Sequence, residues 1–391
     1  MTAKTAFVLT AVSLGAGVLN YLYQVYAAAT LDEAAFGLLS AWLARVTLVS
    51  SLATLVQYLA LDASMPSFPR LLTRGGVVAL AAIVALVALG SNAPPIVLGA
   101  IAVIATIVLY AAVGQLQARL QLGVVALSLF ATAAMRCALP LFTTFYVAHA
   151  ACAFAGVACA ALLFAVVSKA SPADAPEPKA KVTEGARRLR LIRPVLLAVT
   201  TVLLPQIDVL VLAMIEHPST LGAYSRVALA ARMVFFGGAA ILQILLPQQL
   251  HAADRGEALP SFMHLVQKWL PVLLVPGALL LAYLASFIVR PTGDERVWLF
   301  GVCVSAALLV GIIGQIQRFA AHRRLSAAAA CLGGVVLVVV AAAIAVPRFD
   351  ATAITRFVLV SLAGETIILG LATVAQTIHS RRERRELASR P

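Results

Sequence analysis

Apolar runs of about twenty residues, each interrupted by a short polar turn, recur along the whole chain. A helix needs about 20 consecutive apolar residues to cross the hydrocarbon core of a bilayer. Within that core only helices and closed barrels satisfy their own backbone groups. Barrel strands would read as runs of about ten residues with alternating polarity, and the chain carries none. The pattern predicts an all-α polytopic membrane protein with twelve spans, at 6–28, 36–60, 75–91, 95–116, 122–141, 143–168, 194–215, 220–247, 269–289, 297–317, 326–346 and 354–378.

The one long connection between spans is 169–191, "KASPADAPEPKAKVTEGARRLRL", whose Pro, Ala and alternating charges mark a flexible linker. It divides the chain into an N-terminal six-helix bundle (1–168), the linker itself, a C-terminal six-helix bundle (192–378) and a basic tail (379–391). Six is even, so both halves enter the membrane in the same direction and are related by a pseudo-two-fold axis along its normal. The wording supports duplication. "FGLLS" at 36–40 and "LGAYS" at 221–225 each begin a second span just after a short turn. An offset of 185 residues brings Gly37 onto Gly222 and Ser40 onto Ser225, while Gln57 and Gln243 close the two helices 186 residues apart.

Composition agrees with this picture. With 62% hydrophobic and 12% charged residues, and a mean hydropathy of +0.99, the chain cannot furnish the polar exterior of a soluble domain. With the N-terminus inside, 21 of the 29 Lys and Arg fall on the cytoplasmic side, four (Arg290, Arg296, Arg348, Arg356) outside, and four within spans. Cationic loops resist translocation, so both termini are expected in the cytoplasm. The net charge of +13 is then mostly a topology signal and requires no nucleic acid. The basic patches at 187–193 and in the tail suit membrane lipid, anionic lipid above all. Lys4, the first apolar stretch and "AAAT" at 27–30 resemble a signal peptide with its cleavage site. The stretch is long enough to span, however, and carries Asn20 and Gln24, so an uncleaved first helix is expected. Cys137, Cys152, Cys159, Cys303 and Cys331 lie in apolar runs without paired-ligand spacing and read as small hydrophobes. No C-x-x-C, H-E-x-x-H or P-loop occurs, so neither a metal nor a cofactor is expected.

Charges inside the spans stand out against this background, since facing lipid costs each about 2.5–3.5 kcal/mol on insertion scales. Ser225, Arg232 and Gln243 share one stripe of span 8, with Arg232 about halfway through and Arg226 near enough to the end to snorkel. Ser128, Thr132 and Arg136 line one face of span 5; Ser13, Gly17, Asn20 and Gln24 one face of span 1; Ser361, Glu365 and Gln376 one side of span 12. Thr201 and Asp208 share a face of span 7, with Pro205 between them freeing a backbone carbonyl. In span 2 the hydroxyls Thr47, Ser50, Ser51 and Thr54 lie opposite Arg45, which ranks it below Arg232 and Arg136. Each stripe is also compatible with ordinary helix packing, and the acids with simple pairing to an Arg.

A short turn, then glycine, a bulky residue and serine opening a long helix, repeated in both halves of twelve spans, resembles the multidrug/oligosaccharidyl-lipid/polysaccharide (MOP) exporter superfamily. "LLPQIDVLVLAMIEHPSTLGAYSRVALAARMVFFGGAAILQILLPQ" at 203–248 is the more diagnostic half, with its late Asp, acidic turn, "G-x-Y" and closing Pro247. The wording is similar to that of the polysaccharide-biosynthesis flippases, O-antigen and capsule repeat-unit type, although the two extra spans of the lipid II flippases are lacking. The resemblance implies a MATE-like fold in the cytoplasmic (inner) membrane of a bacterium. It implies a transporter, not an enzyme, flipping an undecaprenyl-pyrophosphate-linked oligosaccharide for surface polysaccharide, among other polysaccharide-assembly proteins. Arg232, Arg136, Arg45, Arg226, Asn20, Gln24 and Gln243 are the candidates for a cationic cavity between the halves, because Arg offers a planar fork to phosphate oxygens. Asp208 and Glu365 are the candidates for proton or cation coupling, the usual work of acids inside a membrane. The rival readings are a drug/cation antiporter of the same fold, which would favour acids and aromatics in its cavity, and a membrane-embedded polysaccharide polymerase or ligase, which would need larger outer loops.

Overall fold

The computed structural model describes residues 15, 19, 22–60, 101, 104–114, 130–134, 184–255, 261–289, 291, 293–322, 324–345 and 351–388. Regular structure among them is helical throughout. In chain order the helices are α1 (22–30), α2 (Glu33–Ala60), α3 (Ile104–Gly114), α4 (Glu184–Leu203), α5 (Ile207–Ile215), α6 (Pro218–Arg255), α7 (Ser261–Val289), α8 (Glu295–Ala321), α9 (Leu325–Ala345) and α10 (Ala351–Ala388), with 130–134 also helical. Spans 75–91, 122–141 and 143–168 fall wholly or mostly outside the described residues, as do Asn20, Arg136, residues 169–183 of the linker and the side chain of Gln243.

Span 7 is a broken span and not the single helix expected over 194–215. Helices α4 and α5 meet at 61° across Leu204–Gln206. Pro205 lacks the N–H that would bond back to Thr201, and its ring crowds that carbonyl. Thr200 and Thr201 add to the bend by returning their hydroxyls to Leu196 and Leu197 carbonyls at 2.6 and 2.9 Å. The last turn tightens, with Gln206 N–H donating to the Leu203 carbonyl at 3.1 Å. The bend sets Thr201 and Asp208 on two differently directed helices, α4 and α5.

Helix α5 then turns sharply into α6 through Glu216 and His217. The Glu216 N–H closes α5 on the Leu212 carbonyl, and Pro218 starts α6 with its φ already set for a helix. In the N-terminal half α1 turns into α2 in the same way: Leu31 N–H closes on Ala27, and Asp32 Oδ1 accepts the Ala35 N–H at 2.7 Å as an N-cap. The starts of α2 and α6, Glu33 and Pro218, are 185 residues apart, the offset that aligned the two phrases.

In the C-terminal half α8 is the central helix, packed by α6, α7, α9 and α10. Some 72% of its apolar window is buried, against 28% for α9 and α10. The surrounding helices turn large apolar residues outward, among them Leu273 and Phe287 of α7, Leu337 and Ile344 of α9, and Leu371 of α10. Such a continuous apolar exterior is unsuited to water and marks the lipid face. Helices α8, α9 and α10 are each long and apolar enough to cross a membrane, and α4 with α5 makes a fourth such span. Helix α10 runs on to Ala388, so most of the basic tail is a helical continuation of the last span.

Candidate functional site

Antiparallel hairpins place residues equidistant from the turn at equal depth. Asp208 lies eight residues before Glu216 and Tyr224 seven after His217, so they meet across α5 and α6. The Tyr224 hydroxyl donates to Asp208 Oδ2 at 2.7 Å, with Tyr224 itself 1% exposed. Two helical turns further along α6 comes Arg232, 7% exposed. Its side chain leans back toward the start of its helix, as helical side chains do, and Nη1 donates to Gln24 Oε1 of α1 at 2.8 Å. The second terminal nitrogen, Nη2, is buried with no hydrogen-bond partner among the described residues. On the far wall Glu365 of α10 is 2% exposed and accepts a hydrogen bond from the Ser305 hydroxyl of α8 at 2.6 Å. Helices α8 and α10 are separated by one intervening span and so run parallel, which brings these two positions level. Trp298 and Thr355 pair the same helices nearer their starts, through Nε1 at 2.9 Å.

Asp208, Tyr224, Arg232, Ser305 and Glu365 line one cavity, together with Pro205, Phe235, Ser361 and apolar residues of the same half. It holds about 50 Å³, room for a few waters or a hydrated ion and too little for an oligosaccharide or a drug. Its walls carry two carboxyls, one guanidinium, one phenol and two hydroxyls. The ensemble can hold a proton or a small cation between Asp208 and Glu365, with Arg232 as the fixed positive charge beside them.

This cavity differs from the cationic one expected between the halves. The lining residues all belong to α4–α10 of the C-terminal half, and the acids outnumber the cation two to one. Arg226 is not in the cavity. Nη1 pairs with Glu33 at 3.2 Å and Nη2 donates to the Leu31 carbonyl at 3.0 Å, at the turn end of the bundle. Arg45 is half-buried on α2, away from the lining. Arg136, Asn20 and the Gln243 side chain lie outside the described residues. Gln24 touches the site only through Arg232. Gln376 is apart from it, while Ser361 and Glu365 of the same predicted stripe are both in the lining. The sequence reading missed Tyr224 and Ser305. Tyr224 stood inside "LGAYS", and counting outward from the 216–217 turn would have matched it to Asp208.

Close contacts join the halves beside the site. Gly37 of α2 and Gly222 of α6 form a close crossing: a β-carbon on Gly37 would collide with the Pro218 carbonyl, and one on Gly222 with the Glu33 carbonyl. The Arg226–Glu33 and Arg232–Gln24 bonds flank it. Glycine is required because the backbones themselves touch.

No family model matches the sequence, and no curated protein matches it. Solved structures do. The chain is similar to an outward-facing multidrug resistance MATE family transporter of the MOP superfamily (TM-score 0.68, 11% identity, covering 98% of this chain and 96% of that one). It is similar to a mutant of the Vibrio cholerae MATE transporter VcmN (0.65, 14% identity, 97% of each chain). It is also similar to a MOP superfamily transporter from Pyrococcus furiosus described as having a binding pocket of reverse polarity (0.58, 12% identity, 96% and 95%). At these identities the likeness is one of fold, and it extends over nearly the whole chain: this is an all-α polytopic membrane protein with the MATE-like fold of two six-helix bundles.

Proposed function

We propose that the protein is a membrane transporter of the MOP type, working by alternating access of its two halves, and that it moves a lipid-linked anionic oligosaccharide across the cytoplasmic membrane for surface polysaccharide. The observation that carries the transport reading is the crossing at Gly37 and Gly222. There the two duplicated helices of the halves pack around small residues, with an exposed ion pair, Arg226–Glu33, at the turn end. The cavity in the C-terminal half is the coupling site, with Asp208 and Glu365 taking the proton or cation. The head group of the substrate would travel between the halves, past Arg232, while its polyprenyl tail stays in lipid. Wording similar to the polysaccharide flippases at 30–60 and 203–248 supports that substrate class.

A second reading, a drug/cation antiporter, is favoured by the chemistry of the cavity lining, where two acids beside one cation can take the proton or sodium ion that drives such an exchange. Two probes separate the readings in vesicles containing the purified protein. A dye-tagged polyprenyl-pyrophosphate oligosaccharide moving between leaflets, with no accumulation of ethidium, supports the flippase. Ethidium accumulation driven by a proton or sodium gradient, with a static oligosaccharide, supports the antiporter.

A further inference from the structure

Arg232 belongs to two places at once. Through Nη1 it holds Gln24 of the N-terminal half, and through Nη2, buried and unpartnered among the described residues, it belongs to the cavity of the C-terminal half. We propose that Arg232 is the positioning residue that converts occupancy of the Asp208–Glu365 cavity into separation of the two halves at their turn end. This rests on the transporter reading above and names the part that would couple its two events.

The argument is one of charge compensation. A buried guanidinium is tolerable only with a compensating charge nearby, and removing that charge costs several kcal/mol. Asp208 is an acid in the same cavity lining as Arg232. The charged groups facing the cavity are Asp208 of α5, Arg232 of α6 and Glu365 of α10; α4, α8 and α9 contribute none among the described lining residues, and Tyr224 is the remaining titratable group. When the cavity is empty, the negative charge of Asp208 in the same lining compensates the buried guanidinium without touching it, and Arg232 stays on Gln24. A proton or cation bound between the acids cancels that compensation. Arg232 is then an uncompensated charge whose cheapest relief is water, and water reaches it by parting the Gln24 contact and the Gly37–Gly222 crossing beside it. Loading the cavity therefore opens the turn end.

Ser225, fully buried beside the crossing, reports the opening. With the five native cysteines replaced, Ser225→Cys is reacted in vesicles with an impermeant thiol reagent added on the turn side. Rates are normalised to an exposed Ala34→Cys reference, which removes the pH dependence of the thiol. Acid or sodium is expected to raise the normalised rate about 5-fold or more, the range of ordinary allosteric coupling. Arg232→Gln abolishes that rise while Arg232→Lys, which keeps the charge, retains part of it; Asp208→Asn holds the rate high in every buffer. A rise that persists unchanged in Arg232→Gln overturns the proposal and leaves the transporter reading intact, as does a wild-type rate that is measurable but indifferent to acid and sodium. A Ser225→Cys that never reacts from the turn side overturns the alternating-access reading itself.

Discussion

Gly37 and Gly222 occupy reciprocal places in one helix crossing: each faces the backbone carbonyl of the residue that begins the other's helix, Pro218 and Glu33. The two glycines and the two helix starts share the same 185-residue offset. A duplicated helix thus packs against its own copy across the pseudo-two-fold axis, and the contact is self-complementary because both copies kept the glycine.

A β-carbon at either position must push two backbones apart. Gly37→Ala and Gly222→Ala are each expected to destabilise the closed arrangement by about 1–3 kcal/mol, read as a lowered melting temperature in detergent and faster turn-side modification of Ser225→Cys. The double variant should cost less than the sum of the two, since the first already opens the crossing.

The Arg226–Glu33 pair is a different kind of contact. Its side chains are 30% and 54% exposed, and exposed pairs contribute about 0–1 kcal/mol. Glu33→Gln should therefore change stability little, with the effect vanishing at high salt. The charge swap Glu33→Arg with Arg226→Glu should restore wild-type behaviour, as judged by a double-mutant cycle on the melting temperature.

The Tyr224–Asp208 bond lies within the C-terminal bundle, with Tyr224 buried and Asp208 partly so. Hydrogen bonds between membrane helices average about 0.6 kcal/mol and reach about 1.7, so Tyr224→Phe should fold and lose stability within that range. Its larger effect is expected on ion-driven transport, because Asp208 loses the donor that aims it. A Tyr224→Phe protein with wild-type transport in vesicles would show that Asp208 needs no such aiming.

Pro205→Ala restores the missing N–H of span 7. The helix from 184 to 215 should straighten, drawing Asp208 out of register with Tyr224. Spin labels on α4 and α5 would detect the loss of the 61° bend, and the variant should keep its abundance while losing coupling.

Local chemistry made much of the fold legible. Apolar run length gave the spans, and the boundaries of α6, α8 and α9 lie within a few residues of those expected, except that α6 continues past the predicted end. The repeat was legible because glycine and serine kept their spacing. The bend at Pro205 was half legible: the freed carbonyl was noted, but the size of the bend depends on Thr200 and Thr201 bonding back to their own helix. The site was less legible. Arg232, Asp208 and Glu365 announced themselves as charges in apolar runs and do come together. Ser305 carried no such signal, being one hydroxyl in a buried helix whose register against α10 is set by tertiary packing. Counting four intramembrane arginines against two acids suggested a cationic cavity. In the C-terminal cavity the acids outnumber the cation, since Arg226 escapes to the turn end and Arg45 is not in the lining.

The central claim is that the halves part at the Gly37–Gly222 end. Spin labels at Ala34→Cys and His217→Cys, both exposed and on opposite halves at that end, report the separation in lipid without any substrate. Two distance populations, the shorter matching the closed crossing and the longer growing in acid or sodium, are the predicted result. A single short distance under every condition would contradict it.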